Sequence, residues 1–269
     1  MKNKTALILG IGGTHGAVEI GVLKVLAEKN FKPDFIVGTS VGAINGAYMA
    51  QEGLNKEAVE SLEKIWLTCA QHDNFFPIRK EVFFQLGKSE SIYDPTNFNS
   101  LVNTSLKVNK FKKLKIKLYI NCTRLKDGKN IIFSRGEIKK PVIASCSTVP
   151  FLPPVKIKNE LYVDGAYSSF LGSKIARKLA YNKAIYVEPP TIKMVPEPDG
   201  IKDFMYNSMG MLYNQLSGGE IDMIKNRETT VIAPKPKRKI GSIWDFSFTK
   251  YLIKIGEKEA EKTLKDVEF

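Results

Sequence analysis

The sequence predicts an α/β fold on three observations. A short apolar run, Thr5-Ala6-Leu7-Ile8-Leu9, leads through the loop Gly10-Ile11-Gly12-Gly13-Thr14-His15-Gly16 into a helical pattern. A second run, Phe35-Ile36-Val37, leads through Gly38-Thr39-Ser40-Val41-Gly42 into an alanine-rich helical segment. Further strand-like and helix-like stretches then alternate along the chain.

The first strand is apolar throughout, as a buried strand is. Its helix runs from about Ala17 to Lys29, with Ile20, Leu23 and Ala27 on one face and Val18, Val22 and Val25 beside them. A third helix spans Leu54 to about Ala70, with Val59, Leu62, Ile65 and Trp66 at helical spacing. Phe75-Phe76-Pro77-Ile78 and Val82-Phe83-Phe84 are dense in aromatics. They suit either an entrance for an acyl chain or core packing under a loop. Tyr93-Asp94-Pro95-Thr96 reads as a turn that starts a helix.

Ile116–Cys122 and Ile131–Phe133 read as strands joined by the hairpin signal Lys126-Asp127-Gly128-Lys129. Ile138–Cys146 reads as a short helix, after which Pro150, Pro153 and Pro154 force an extended path. Lys156–Lys158 and Leu161–Val163 form a hairpin around Asn159-Glu160 that delivers Asp164-Gly165-Ala166. A helix is expected over Gly172–Ala180, with Ile175 and Leu179 inward, and a core strand over Ala184–Val187. Ile201, Phe204, Met205, Met209, Leu212 and Leu216 mark a helix whose apolar side is expected in the core or along an acyl site. Thr229–Ala233 is a last strand, and Phe248, Tyr251, Leu252, Ile255, Ala260 and Leu264 mark an amphipathic helix near the C-terminus. No linker or repeat interrupts the pattern, so residues 1–269 read as one domain.

Composition narrows the function. No run approaches the ~18 apolar residues of a membrane span, and Met1-Lys2-Asn3-Lys4 opens onto a strand without a cleavage-like site, which predicts no signal peptide. Cys69, Cys122 and Cys146 are scattered, which suits a reducing, cytoplasmic setting and gives no metal spacing. Two histidines make a zinc site a poor expectation, and neither a metal nor another cofactor is expected. The net charge of +13 comes mostly from lysines spread over many segments. No aromatic-interleaved nucleic-acid motif accompanies them, so no nucleic acid is expected. A peripheral contact with an anionic membrane is the expectation that the charge favours.

The chemistry centres on Gly38-Thr39-Ser40-Val41-Gly42, a Gly-x-Ser-x-Gly between strand and helix. Such a turn strains the serine backbone and lifts its hydroxyl clear of the sheet. Gly38 and Gly42 let strand and helix approach closely around the bend. Amide groups of Ile11, Gly12, Gly13 and Thr14 in the first loop are candidate donors to an oxyanion. A dinucleotide site would need G-x-G-x-x-G, and its sixth position is occupied by His15.

A serine nucleophile needs a base. No histidine follows His72, so the Ser-Asp-His order of an α/β-hydrolase is not available. His72 lies in a polar stretch, and His15 is placed to flank the site. Asp164, at a strand end before Gly165, is the best-placed carboxylate. Desolvation would raise its pKa from ~3.9 and make it a usable base.

These residues resemble those of bacterial patatin-like phospholipases. The resemblance rests on Gly12-Gly13-Thr14-His15-Gly16, Gly38-Thr39-Ser40-Val41-Gly42 and Asp164-Gly165-Ala166 in that order. Ile20–Leu23, Ala144–Ser147 with Pro150 and Pro153-Pro154, Tyr162–Gly165, Asn226-Arg227 and Trp244–Phe246 extend it over nearly the whole chain. The resemblance implies a three-layer α/β/α fold with a central, mostly parallel mixed sheet. It implies a calcium-independent Ser40–Asp164 dyad that hydrolyses phospholipids, lysophospholipids or simpler acyl esters. An acyltransferase using the same dyad, or a non-catalytic lipid-binding protein on the same fold, are the alternatives. The chain departs from the family pattern at Ile11, at His15 and along Tyr167-Ser168-Ser169-Phe170. Those departures bear on phosphate-bearing head groups more than on the dyad.

Overall fold

The computed structural model describes residues 4–72, 74–84, 89–169, 179, 181–188, 190, 194–224, 228–267 and 269, without the side chains of 83, 202 and 216–224. The helix expected over Gly172–Ala180 and the Asn226-Arg227 segment lie outside these residues, Leu179 excepted.

Among the described residues an eight-stranded mixed sheet runs through the molecule. Its centre is β1 (Thr5–Leu9), paired in parallel with β2 (Phe35–Thr39) and β7 (Lys183–Val187). β3 (Lys117–Arg124) extends the parallel ladder beyond β2, and β8 (Glu228–Ile232) extends it beyond β7. β4 (Asn130–Phe133), β5 (Val155–Ile157) and β6 (Glu160–Asp164) are the antiparallel members. The hairpins expected at Asp127-Gly128 and around Asn159 join β3 to β4 and β5 to β6.

Strand alternation sends side chains to two separate cores, one on each face. Leu7, Leu9, Ile36, Leu118 and Ile120 point to the larger core. There they meet α1 (Ala17–Glu28), α2 (Val41–Glu52), α3 (Lys56–Ala70), α5 (Thr96–Ser105), α6 (Lys139–Ser145) and the C-terminal helix α8 (Thr249–Thr263). A single turn, α4 (Glu81–Phe84), precedes α5. Ala6, Ile8, Phe35, Val37, Ala184 and Tyr186 point the other way, toward Phe151, Leu152 and Tyr206 and Tyr213 of α7 (Ile201–Ile224). The result is the three-layer α/β/α arrangement with a mostly parallel sheet.

Helix α7 forms where the periodicity predicts it, but it is rolled about its axis. Ile201, Phe204 and Leu212 are exposed, whereas Tyr206 and Tyr213 are buried. Met205 and Met209 are half-buried against the second core. The inward tyrosines keep a use for their hydroxyls, since Tyr213 Oη donates to the Ile11 carbonyl at 3.2 Å. Counting apolar residues therefore places Met205 and Met209 correctly but sends Ile201 and Phe204 inward, where the structure leaves them outside. The predicted apolar residue Leu216 lies among the side chains not described.

The register of β3 sets up the rest. β2 pairs with its first part and ends with Thr39 opposite Asn121. β6 comes from the other direction and ends with Asp164 opposite Cys122. β4 pairs with residues 120–123 on the other edge, so β2 and β6 share one edge and meet end to end.

Candidate active site

Ser40 stands between β2 and α2 with φ 55° and ψ −126°. That conformation is strained for a residue with a Cβ and costs about 1–3 kcal/mol. Both sides of the residue are tied down. The Ser40 amide donates to Ser145 Oγ at 2.9 Å, and Ser145 Oγ donates onward to the Asn121 carbonyl at 2.6 Å. Cys146 Sγ donates to the Ser40 carbonyl at 3.0 Å. Burial pushes the Cys146 thiol well above its ordinary pKa, so it keeps the proton that it donates.

Glycine is a steric requirement at the bend. A Cβ on Gly42 would stand 2.3 Å from the Leu9 carbonyl oxygen, and the Gly42 amide donates to the Gly10 carbonyl at 3.0 Å. A Cβ on Gly38 would stand 2.5 Å from the Gly42 carbonyl oxygen. The first loop and the serine turn are thereby packed backbone to backbone.

Asp164 is 3% exposed. Its carboxylate accepts the Ala166 amide at 2.9 Å and the Thr148 hydroxyl at 3.0 Å. Ser40 Oγ bears on the same carboxylate and draws its pKa down. Burial raises the Asp164 pKa to about 6, with Ala166, Ser40 and Thr148 each drawing it back down. The turn beyond it is braced by Asn121, whose Nδ2 donates to the Gly165 carbonyl at 3.2 Å and the Ser169 carbonyl at 2.7 Å.

The glycine loop divides into used and unused amides. Those of Ile11, Gly12 and Gly13 find no acceptor among the described residues, and all three residues line the cavity beside Ser40. Thr14 departs from the expectation. Its amide donates to the Ile243 carbonyl at 2.8 Å and its hydroxyl to the Asp245 carbonyl at 2.8 Å, so this residue anchors the loop. Gly13, at φ 54°, accommodates the same close approach, because a Cβ there would stand 2.4 Å from the Ile243 carbonyl oxygen. The Val41 amide, first in α2, also lacks an acceptor among the described residues and lies on the cavity wall.

His15 does not flank the cavity. Its Nε2 donates to the Gly241 carbonyl at 2.9 Å, and burial lowers its pKa, which keeps the ring neutral. Gly16 sits against Val41, where a Cβ would stand 2.5 Å from both methyls. His72 is exposed. Among the described residues no cluster of side chains is arranged to hold a metal.

Ser40 and Asp164 open on a cavity of about 290 Å³ with almost wholly apolar walls. Leu62, Ile65 and Trp66 of α3 and Phe98, Leu101 and Val102 of α5 line it. Met209, Leu212 and Tyr213 of α7 complete another side. Phe76, Trp244 and Phe246 form an aromatic wall, with Phe76 and Trp244 ring centres 5.1 Å apart. The Phe75-Phe76 run divides between the core and the cavity wall. Phe75 is core, and Phe76 faces the cavity.

A buried polar group sits behind the loop. Asn45 Nδ2 donates to Glu19 Oε2 at 2.7 Å and to the Gly16 carbonyl at 3.3 Å, and Trp66 Nε1 donates to Asn45 Oδ1 at 3.0 Å. Burial raises the Glu19 pKa to about 8.

Residues 7–176 match the family described as patatin-like phospholipase. The chain belongs to this family. Among its patatin-like relatives, patatin-like phospholipase domain-containing protein 7 of Rattus norvegicus is 27% identical over 188 residues, which is 69% of this chain and 14% of that protein. Lysophospholipase nte1 of Aspergillus terreus is 26% identical over 168 residues, 60% of this chain and 10% of its own length. The chain thus corresponds to a small part of either relative. VipD of Legionella pneumophila superposes with a TM-score of 0.44 at 12% identity, over 98% of this chain and 67% of VipD.

Sequence reasoning missed Asn121, Thr148 and the roles of Ser145 and Cys146. Ser145 and Cys146 stand inside a block shared with the patatin-like pattern, which is the one signal that points to them.

Proposed function

We propose that the protein is a serine lipid acyl hydrolase working through a Ser40–Asp164 dyad on phospholipids, lysophospholipids or related acyl esters. The observation that carries this reading is the buried Asp164 carboxylate, with a pKa near 6, meeting Ser40 at the head of an apolar cavity. A base of that pKa is mostly ionised at neutral pH and still basic enough to share a proton in the transition state.

Ser40 Oγ attacks the ester carbonyl as its proton passes to Asp164. The amides of Gly12, Gly13 and Val41, with Ile11 beside them, receive the charge that develops on the carbonyl oxygen, each donor contributing about 3–4 kcal/mol in a dry site. Collapse of the intermediate breaks the ester bond, and Asp164 returns the proton to the departing alcohol. Water, activated by the same carboxylate, then attacks the acyl-serine and releases the fatty acid. The acyl chain lies in the cavity throughout, against Leu62, Trp66 and Phe98.

Ser40→Ala and Asp164→Asn are each expected to abolish hydrolysis of a short p-nitrophenyl ester while the circular dichroism spectrum is unchanged. A fluorophosphonate is expected to label Ser40 alone, as mapped by peptide mass spectrometry. Full turnover in either variant overturns the mechanism. Added alcohols that divert the acyl group into new esters would assign the same dyad to acyl transfer.

A further inference from the structure

We infer that the outward face of α7 is a docking surface for a lipid bilayer, which seats the cavity opening against the membrane. Between Ile201 and Gln215 the exposed positions among the described side chains are Ile201, Phe204, Ser208, Met211, Leu212 and Gln215. They recur at the i, i+3, i+4, i+7 spacing of one helical face, and none is charged. Ile201 is 65% exposed, Leu212 59%, and Phe204 and Met211 54% each. A helix on a water-facing surface carries its charges on that side. Here the polar hydroxyls of Tyr206 and Tyr213 are inside and the large apolar groups are outside.

A contiguous apolar face of this kind marks a partner. Two features commit it to a bilayer. The face is continuous with the cavity, because Leu212 belongs to both and Met209 and Tyr213, slightly farther around the helix, line the cavity wall. A lipid acyl chain leaving a bilayer against α7 therefore meets apolar surface all the way to Ser40. The net charge of +13 attracts an anionic surface and opposes the stacking of a second copy on the same face. The segment before the helix adds to the apolar surface. Asn207 clamps it to α7 by accepting the Val195 amide at 2.7 Å and donating to the Val195 carbonyl at 2.9 Å, next to the exposed Met194.

The inference rests on the acyl-chain reading of the cavity, so the experiment separates the two. Binding is measured by co-sedimentation of Ser40→Ala protein with phosphatidylcholine vesicles, with and without phosphatidylglycerol. Turnover is measured separately on p-nitrophenyl butyrate, a soluble ester, in chains that keep Ser40. Phe204→Asp with Met211→Asp is expected to weaken vesicle binding roughly tenfold or more. The same pair is expected to leave butyrate turnover within about twofold, since neither side chain lines the cavity. Ile201→Asp alone, at the helix start, is the second variant and is expected to act in the same direction. Unchanged vesicle binding in both variants overturns the inference while leaving soluble-ester turnover intact. A concentration-dependent dimer in the wild type that both variants dissolve also overturns it, by giving the face to a second copy.

Discussion

Ser145 Oγ accepts a hydrogen bond from the Ser40 amide at 2.9 Å and donates one to the Asn121 carbonyl at 2.6 Å. One hydroxyl thus ties the strained residue to the strand that carries the edge of the sheet. Ser145→Ala leaves a buried amide and a buried carbonyl unsatisfied, a loss of about 1–3 kcal/mol. We expect at least roughly a tenfold fall in kcat on a soluble ester, with KM little changed, because positioning is lost and the cavity is not. Steady-state kinetics beside a urea unfolding curve checks both parts.

Activity is expected to depend on pH through Asp164. Its carboxylate must be ionised to take the serine proton, so kcat/KM rises through about pH 6 and then levels. Thr148→Val removes one hydrogen bond that favours the ionised form. The rising limb of the pH-rate profile should then move to higher pH. A shift to lower pH would assign the limb to another group.

Glu19 makes a prediction about stability. Its pKa is about 8 in the folded chain against 4.5 for the free side chain, so the folded state holds a proton that the unfolded state releases. That contribution is fully present below the unfolded value and is lost as pH rises from about 4.5 to 8, by up to about 1.4 kcal/mol per unit. Glu19→Gln keeps the shape without the titration. Its stability relative to the wild type should therefore improve steadily from pH 5 to pH 8, as read from urea midpoints at matched pH.

Gly42→Ala is expected to be more damaging than Gly46→Ala on the same helix. The added carbon at position 42 meets main-chain atoms of Leu9 at 2.3 and 2.4 Å, which do not move aside. At position 46 it meets side-chain methyls, Ile36 Cγ2 at 2.9 Å and Leu118 and Leu9 Cδ1 at 3.6 and 3.7 Å. We expect a loss of about 3 kcal/mol or more for the first and clearly less for the second. Thermal denaturation compares them, and fluorophosphonate labelling reports whether the serine turn survives.

Most of the fold was legible because its signals are local. The apolar runs of β1, β2 and β7 and the glycine turns after β1 and β2 announce themselves. Ser40 and Asp164 stood out as candidates for the same reason, each at a strand end close to a glycine. Thr148 and Asn121 were not, because their roles follow from how β3 and β6 register, which no local pattern encodes. Thr14 was misassigned because its amide is taken by Ile243, far along the chain. Ile201 and Phe204 of α7 were misread because an apolar count does not register that Tyr206 and Tyr213 bury well. His15 was placed by its neighbours in the loop, whereas its ring follows the carbonyl of Gly241.

The end-to-end meeting of β2 and β6 along one edge of β3 has a kinetic and evolutionary corollary. The proposed nucleophile and base are spaced by the ladder itself, so neither rides on an independently mobile loop. Sliding β6 by one residue would turn the Asp164 carboxylate to the opposite side of the sheet and take apart the proposed dyad at a stroke. Loss of catalysis under denaturant should accordingly coincide with collapse of the whole sheet, and gradual drift in substrate choice is left to the helices that wall the cavity.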